Sequence, residues 1–262
     1  MKKLLLAMTA VAAFTGSAFA ADLPARTYTK APPPIAPVYS WTGFYIFGGG
    51  GGGLWAGDQH TETFPGGAPL AIDTRNGGSG WFGTVGAGYD WQINTGWVAG
   101  IFADGQFGSL RSTINDTTNG LTGFEKIQDQ WAAGVRVGYL VAPNVLSYVN
   151  GGYSGAHFSG TSMISTFTGA ASTVHTNSFN RNGWFVGGGV ENNLNIFGIT
   201  APGWFMKTEY RSSFYDQKDI GEFFNATNLP TGFGVRENAW TQTISTSLVY
   251  RFNWTGPVVA KY

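Results

Sequence analysis

The sequence predicts an all-β protein, an eight-stranded antiparallel up-and-down β-barrel that spans a membrane. Three observations lead to this prediction. Stretches of alternating apolar and polar residues recur from residue 41 onward, and a period of two is that of a β-strand with one apolar face. Charged residues make up only 11% of the chain, against about 25% in ordinary soluble domains. The connections between the stretches alternate between long and short, which is typical of transmembrane barrels.

The N-terminal residues carry two segments that differ from the rest of the chain. Lys2 and Lys3 precede an apolar run at residues 4–14, and a small–x–small sequence ends at Ala20. This pattern predicts a secretory signal peptide at residues 1–20, cleaved after Ala20. Residues 21–39 contain five of the 11 prolines, which predicts an extended Pro-rich periplasmic leader.

The composition excludes several classes of protein. No apolar stretch reaches 18 residues, so no membrane-spanning helix is predicted. The absence of cysteine excludes a disulfide framework and thiol chemistry. Without Lys2 and Lys3 the chain has 13 basic and 15 acidic residues, a net charge of −2, which gives no indication of a nucleic-acid partner.

Residues 241–252 show the alternation most clearly, and we predict them to form the closing strand. The apolar face ends in two aromatic residues and comprises Ile244, Thr246, Leu248, Tyr250 and Phe252. The opposite face is mostly polar and includes Arg251. Taken alone, this stretch could equally be the edge strand of a soluble sandwich, and the rest of the chain must decide.

Seven further stretches carry the same alternation. They are predicted as strands at residues 41–55, 80–91, 97–110, 128–141, 145–158, 183–194 and 203–215, although the two faces of the fifth are not assigned. Residues 48–53 of the first strand are all glycine, and without a following Lys-Ser/Thr they do not form a phosphate-binding loop. We expect them to form a thin part of the wall that a neighbour can approach closely. The barrel is thus predicted at residues 40–252, followed by a C-terminal tail at residues 253–262.

The connections assign the two ends of the barrel. Long outer loops are predicted at residues 57–79, 111–127, 160–180 and 216–238, and short periplasmic turns at residues 93–96, 142–144 and 195–202. The six prolines outside the leader all fall in a predicted loop, turn or tail, as expected if none lies inside a strand.

The charged faces of the strands are predicted to point into the barrel. A Lys or Arg on the lipid face at mid-membrane costs about 2–4 kcal/mol. The predicted lumen residues are four acidic and four basic: Asp90, Asp104, Arg136, Glu191, Lys207, Glu209, Arg211 and Arg251. Eight strands enclose room for side chains but no open channel, so we predict a plugged interior in which balanced charges pair.

The opposite faces carry large aromatic residues at the strand ends. Residues of this type collect at membrane–water interfaces. The aromatics predicted to face lipid or the interface are Trp81, Trp131, Trp184, Trp204, Tyr250 and Phe252.

Several segments resemble a known family: the small eight-stranded outer-membrane immunogenic proteins of alphaproteobacteria, grouped with porin-like and OmpA-like barrels. The resemblance rests on residues 40–46, 131–139, 183–191, 207–211 and 248–252, and on residues 21–24. It implies an antigenic barrel in the Gram-negative outer membrane, with no catalytic residues. Phe102 departs from the family, where this position is often acidic, so one lumen charge pair is expected to be missing. Either Phe252 or Tyr262 could be the aromatic end read by the barrel-assembly machinery.

Little else in the sequence indicates chemistry. The three histidines, His60, His157 and His175, lie far apart, and their spacing supports no metal site. No cofactor site and no catalytic residue are predicted. Ser154 and Ser159 lie near His157, which leaves a lipid hydrolase with a Ser–His–acid site as an alternative.

These observations favour a non-enzymatic barrel with a structural and surface-antigen role, which stiffens the outer membrane and displays loops. A small diffusion porin and a lipid-modifying hydrolase are the alternatives. The expected partners are outer-membrane lipid, lipopolysaccharide and, during biogenesis, the barrel-assembly machinery. No nucleic acid is expected, and the ligands of the loops stay open.

Overall fold

The computed structural model describes residues 40–196 and 199–252, and their regular elements are all β-strands. The predicted signal peptide (1–20), leader (21–39) and tail (253–262) lie outside the described residues. The ten strands are β1 Gly43–Thr63, β2 Thr74–Gln92, β3 Trp97–Asp116, β4 Leu121–Ala142, β5 Val145–Phe158, β6 Thr161–Ser165, β7 Ala171–Thr176, β8 Phe179–Ile196, β9 Ile199–Phe224 and β10 Pro230–Arg251. Among the described residues, no helix is long and apolar enough to cross a membrane.

Eight of these strands form a closed ring. β10, β1, β2, β3, β4, β5, β8 and β9 pair in this order, and β9 pairs back with β10. Every pairing is antiparallel. The predicted all-β antiparallel barrel is therefore confirmed, and closure leaves no free sheet edge where lipid surrounds the wall.

The remaining two strands, β6 and β7, form a hairpin that was not predicted. β6 pairs with β4 at Leu121 and Thr122, and β7 pairs with β9 at Phe223 and its two neighbours. The hairpin thus stands where β5 and β8 have already ended. At this level β6 and β7 take the places of β5 and β8 between β4 and β9.

The register fixes the tilt of the strands. One row of paired residues, followed once around the ring, runs through Tyr250, Ile46, Ala87, Ala103, Ala133, Tyr153, Trp184, Phe214 and Trp240. The row returns to β10 ten residues from its starting point. For eight strands, a stagger of ten residues corresponds to a tilt of about 40–45°.

Two rings of outward-facing aromatics mark the membrane. The upper ring comprises Trp81, Phe107, Trp131, Tyr153, Trp184, Phe214 and Trp240, and the lower ring comprises Phe44, Trp91, Trp97, Tyr139, Trp204, Tyr250 and Phe252. On β2, β3, β9 and β10 the two ring residues are ten positions apart. At about 3.3 Å per residue and this tilt, the rings are about 24 Å apart, which matches the apolar band of outer-membrane barrels.

We call the wall beyond the upper ring the collar: residues 56–80, 108–130, 154–182 and 215–239. The predicted outer loops lie here, and their prediction as loops is wrong for most of their length. The strands continue, and the connections are reduced to residues 64–73, 117–120 and 225–229 and to the ends of the β6–β7 hairpin. The outer face of the collar meets water, so both faces carry polar residues and the apolar alternation ends although the strands do not.

Two prolines also correct the prediction. Pro202 lies inside β9, between the paired residues Thr200 and Phe205, where the ladder with β8 is irregular. Pro230 is the first residue of β10. Both positions tolerate the missing N–H, because an irregular stretch and a strand start lack a regular ladder bond. The predicted turn at residues 195–202 is correspondingly shorter, since β8 ends at Ile196 and β9 begins at Ile199.

Candidate functional site: a packed interior beneath a polar collar

The lower part of the lumen holds a closed ring of four charges, the lower ion layer, made of Asp90, Arg136, Glu191 and Arg251. Arg136 Nε lies 2.9 Å from Asp90 Oδ1, and its Nη1 lies 3.1 Å from Glu191 Oε2. Arg251 Nη2 lies 2.8 Å from Asp90 Oδ2, and its Nε lies 2.8 Å from Glu191 Oε1. All four side chains are buried, so each cation balances both acids in a site without water access.

Aromatic rings enclose this layer and close the periplasmic end. The Arg136 guanidinium lies 4.4 Å from the Tyr45 ring, and that of Arg251 lies 4.5 Å from the Trp41 ring. Trp41 is fully buried across the lower mouth, where its Nε1 donates to the carbonyl oxygen of Pro143 at 3.3 Å. Its backbone N–H donates to the Gln92 side chain. Trp41, just before β1, therefore closes the periplasmic mouth of the lumen.

A second group, the middle ion layer, contains Asp104, Lys207, Glu209 and Arg211. The Arg211 guanidinium forms a bidentate pair with Asp104, at 3.0 and 2.7 Å, and also lies 2.7 Å from Glu209 Oε1. The Tyr148 hydroxyl donates to Glu209 Oε2 at 2.8 Å. The eight residues predicted for the lumen thus lie inside the barrel in two adjacent layers of four.

Phe102 places an aromatic ring in the lumen beside the middle ion layer. Its ring packs against that of Phe185, with centroids 6.0 Å apart, and the Arg211 guanidinium lies 4.7 Å from the Phe185 ring. Lys207 Nζ lies 3.6 Å from Glu209 Oε2 and 3.4 Å from the Phe47 ring centroid. Aromatic faces therefore supply part of the stabilisation of cations in this layer.

The six aromatics predicted for the outer surface all lie on the outer face of the wall. Trp81, Trp131 and Trp184 belong to the upper ring, and Trp204, Tyr250 and Phe252 belong to the lower ring. β10 ends at Arg251, but the N–H of Phe252 still donates to the carbonyl oxygen of Phe44 at 3.0 Å. Tyr262 lies outside the described residues.

The collar contains interior charges that the sequence analysis missed. Arg181 Nη2 lies 2.5 Å from Glu237 Oε2, and the Gln59 side chain donates to Glu237 Oε1 at 2.7 Å. Glu125 is buried beside this group, and neither of its carboxyl oxygens has a hydrogen-bond partner among the described residues. Burial and then the charge of Glu237 raise the pKa of Glu125. A protonated carboxyl group at this position would remove the cost of a lone buried charge.

Glu125 and Glu237 were missed because they fall in segments predicted as loops, and Arg181 because it lies between the predicted loop at residues 160–180 and the predicted strand at residues 183–194. A signal was nevertheless present: Glu237, Ala239 and Thr241 continue the inward face of the last strand at intervals of two. The same continuation links Glu125 to Ile127. Extending the period of two through polar residues would have identified the interior of the collar.

A further buried acid, Glu222, lies near the outer end of β9, well beyond the membrane-spanning segments. Burial, followed by the negative charge of Asp116 and a hydrogen bond with it, raises the pKa of Glu222 to about 8. A carboxyl group whose pKa is raised in the folded state favours folding when it is protonated. The stability that Glu222 contributes to the folded state is therefore fully present below the unfolded-state pKa of about 4.3, and it is lost as the pH rises through about 8.

We expect Glu222→Gln to flatten this pH dependence. Between pH 5 and pH 9 the wild type should lose about 3–4 kcal/mol of stability relative to the variant, because only the wild type must ionise a buried carboxyl group. Urea unfolding in lipid vesicles at several pH values measures the difference. Asp216→Asn, at an exposed position of the same strand, is the matched control. Parallel curves for the wild type and Glu222→Gln would contradict the expectation.

The structure separates His157 from Ser154, one of the two serines of the hydrolase alternative. Ser154 is buried and faces the lumen, whereas His157 lies on the outer face of β5, where its Nδ1 is 2.7 Å from Asn180 Oδ1. Residues three apart in a strand point to opposite faces, so Ser154 and His157 cannot form a nucleophile–base pair. Within the described residues, no group of three or more His, Cys, Asp or Glu could hold a metal ion.

A family model and two relatives agree with this architecture. A family model described as "Outer membrane protein beta-barrel domain" matches residues 6–252. The 31 kDa outer-membrane immunogenic proteins of Brucella melitensis and Brucella suis are each 31% identical over 222 residues, covering 80% of this chain and 85% of the relative. The crystal structure of outer membrane protein OprG from Pseudomonas aeruginosa covers 83% of this chain and 100% of that chain, at 9% identity and a TM-score of 0.44. The resemblance identified from the sequence is confirmed.

Proposed function

The chain belongs to the outer membrane protein β-barrel domain family, and from this we propose that it is a non-enzymatic barrel with a sealed interior. It is located in the outer membrane, like the immunogenic proteins to which it is related. Its role is structural: it stiffens the membrane and holds the collar as a rigid surface outside the cell. Outer-membrane lipid and lipopolysaccharide surround it, and the barrel-assembly machinery is its partner during biogenesis.

The observation that carries the proposal is the packing of the lumen. Above the two ion layers lies an apolar block that includes Trp55, Phe82, Phe158 and Tyr215, all buried. Above that block come the charges of the collar and a further apolar cluster around Met163, to which the β6–β7 hairpin contributes. Successive buried layers favour a solid interior over a path for solutes.

Neither the diffusion porin nor the lipid-modifying hydrolase is supported by a structural feature of this kind. A diffusion porin for charged solutes would favour an excess of one charge along the lumen, but the two ion layers contain four acids and four bases in close pairs. A lipid-modifying hydrolase would need a nucleophile beside its base, but Ser154 and His157 face opposite sides of the wall. The sealed barrel therefore accounts best for the geometry.

Single-channel recordings in planar lipid bilayers test the proposal. The folded protein is expected to give no stable conductance steps, because each layer of the lumen is filled by side chains. The same preparation unfolded by heating, and bilayers without protein, set the background. Reproducible open steps that require the folded barrel would contradict the proposal and favour the porin.

A further inference from the structure

Two cations on the outer face of the collar lack counter-charges. Arg111 of β3 and Lys126 of β4 are direct cross-strand partners in the register. Neither forms an ion pair with any Asp or Glu among the described residues, whereas Arg75 and Arg236, on the same outer face, each do. Like charges placed directly opposite each other destabilise a sheet, so this pair is unfavourable unless an anion lies between or beside them.

The immediate surroundings are suited to an anion. Ser79 is the cross-strand partner of Arg111 on its other side, and the Ser159 N–H donates to the carbonyl oxygen of Lys126. One row across the wall therefore places two cations between two hydroxyl residues. The Ser109 hydroxyl accepts from Arg111 Nε at 3.1 Å, which leaves the Nη groups of the guanidinium for another acceptor. An arginine, a lysine and hydroxyl groups together are the donors that suit a phosphate.

The position in the wall points to the source of that phosphate. Both residues lie on the outer side of the upper aromatic ring. Arg111 follows Phe107 by four residues on β3, and Lys126 precedes Trp131 by five residues on β4. At about 3.3 Å per residue and a tilt of 40–45°, the pair stands roughly 10 Å above the aromatics that mark the edge of the apolar band. This is the level of the lipid headgroups of the outer leaflet.

A groove beside the pair provides space. Backbone pairing of β2 with β3 ends at Ser79 and Arg111. Beyond this point Gln59 of β1 bonds β3 directly, donating from its Nε2 to the carbonyl oxygen of Thr113 and accepting from the Asn115 N–H. An open groove of about 310 Å³ lies beside Arg111, lined by Gly77, Gly78, Arg111, Ser112, Thr113 and Phe124.

We infer that Arg111, Lys126 and this groove form a binding site for the phosphate of an anionic outer-leaflet lipid headgroup. The inference rests on the proposed function, since it requires the barrel to stand in the outer membrane. It goes further in naming the residues that hold the lipid and the group that they bind. The bound phosphate balances the cross-strand cations, and the aromatics of the upper ring lie beside the acyl chains of the same lipid.

Native mass spectrometry of the folded barrel in mixed micelles tests this site, with lipid A bearing two phosphates as the probe. The wild type should retain one such lipid. Each single variant, Arg111→Ala and Lys126→Ala, should weaken retention about fivefold, and the double variant about 25-fold, since each basic residue near a charged membrane surface contributes about one factor of five. Lys126→Glu should abolish retention without unfolding the barrel, because it places an acid opposite Arg111.

The matched control is Lys218→Ala. Lys218 is exposed on β9, four residues beyond Phe214, so it stands at a similar height, and its cross-strand partner is the acid Glu237 rather than a second cation. This variant should retain the lipid within twofold of the wild type. Lipid A without phosphates should not be retained, and millimolar inorganic phosphate should not displace the phosphorylated lipid.

Three results would overturn the inference: equal retention by the double variant, equal retention of lipid A without phosphates, or displacement by inorganic phosphate, which would indicate a site for a free anion. Folding is measured separately, from the gel mobility of unheated and boiled samples. A chain that forms no heat-modifiable barrel would contradict the proposed function instead, so the two failures are distinguishable.

Discussion

Replacement of Arg136 by methionine is expected to lower the free energy of unfolding by about 3–5 kcal/mol. Methionine fills a similar volume but removes the cation that pairs with both Asp90 and Glu191 in the lower ion layer. Arg251 is then left to balance two buried carboxylates alone. Urea unfolding in phosphocholine vesicles, followed by gel mobility of unheated samples and by tryptophan fluorescence, measures the loss.

Two further variants show whether the loss arises from burial of unbalanced charge. Arg75→Met removes an exposed arginine that pairs with Asp58 on the outer face of the collar, and it should change stability little, because water screens this pair. Asp90→Asn introduced into the Arg136→Met variant restores the charge balance and should recover part of the stability. Equal losses at Arg136 and Arg75 would contradict a structural role for the lower ion layer.

Gly51→Ala is expected to cost at least about 2–3 kcal/mol or to prevent closure of the barrel. An added Cβ would lie 2.1 Å from the carbonyl oxygen of Ile244 and 2.8 Å from Cζ of Phe82. The first of these atoms belongs to the backbone of β10 and cannot move without breaking the seam between the first and last strands. The refolded fraction and the urea midpoint in vesicles measure the effect.

Gly48→Ala is the matched control, three residues away in the same glycine run. Its added Cβ would meet no atom closer than 3.8 Å, on the outer face of β1. We expect a change within about 0.5 kcal/mol. If both substitutions were tolerated, the tight approach of β1 and β10 would not limit the sequence at Gly51.

The membrane-spanning half of the barrel could be predicted from the sequence, because lipid requires the outer face of each strand to be apolar while the inner face can be polar. Between the aromatic rings a charge has to face inward, so Arg136 and Glu209 identify the lumen side of their strands. The stretch from Val145 to Phe158 was harder, because Gly151 and Gly152 interrupt the alternation. In the structure Leu146, Tyr148 and Asn150 face the lumen.

The collar could not be predicted in the same way, because its outer face meets water and the two faces of its strands therefore do not differ in polarity. Glu237 lies inside and Arg236 outside, and nothing in the two residue types separates them. The β6–β7 hairpin depends on contacts with β4 and β9, which are far away in the sequence. Its position follows from where β5 and β8 end, and the register of the whole ring determines this.

The hairpin determines what an immune receptor meets at the cell surface. Because β6 and β7 complete the ring between β4 and β9, backbone hydrogen bonds join parts of the chain that are about 40 to 50 residues apart. An epitope that crosses these seams is therefore assembled from discontinuous segments. It exists in the folded barrel and is lost when the chain is denatured, although every residue that contributes to it is still present.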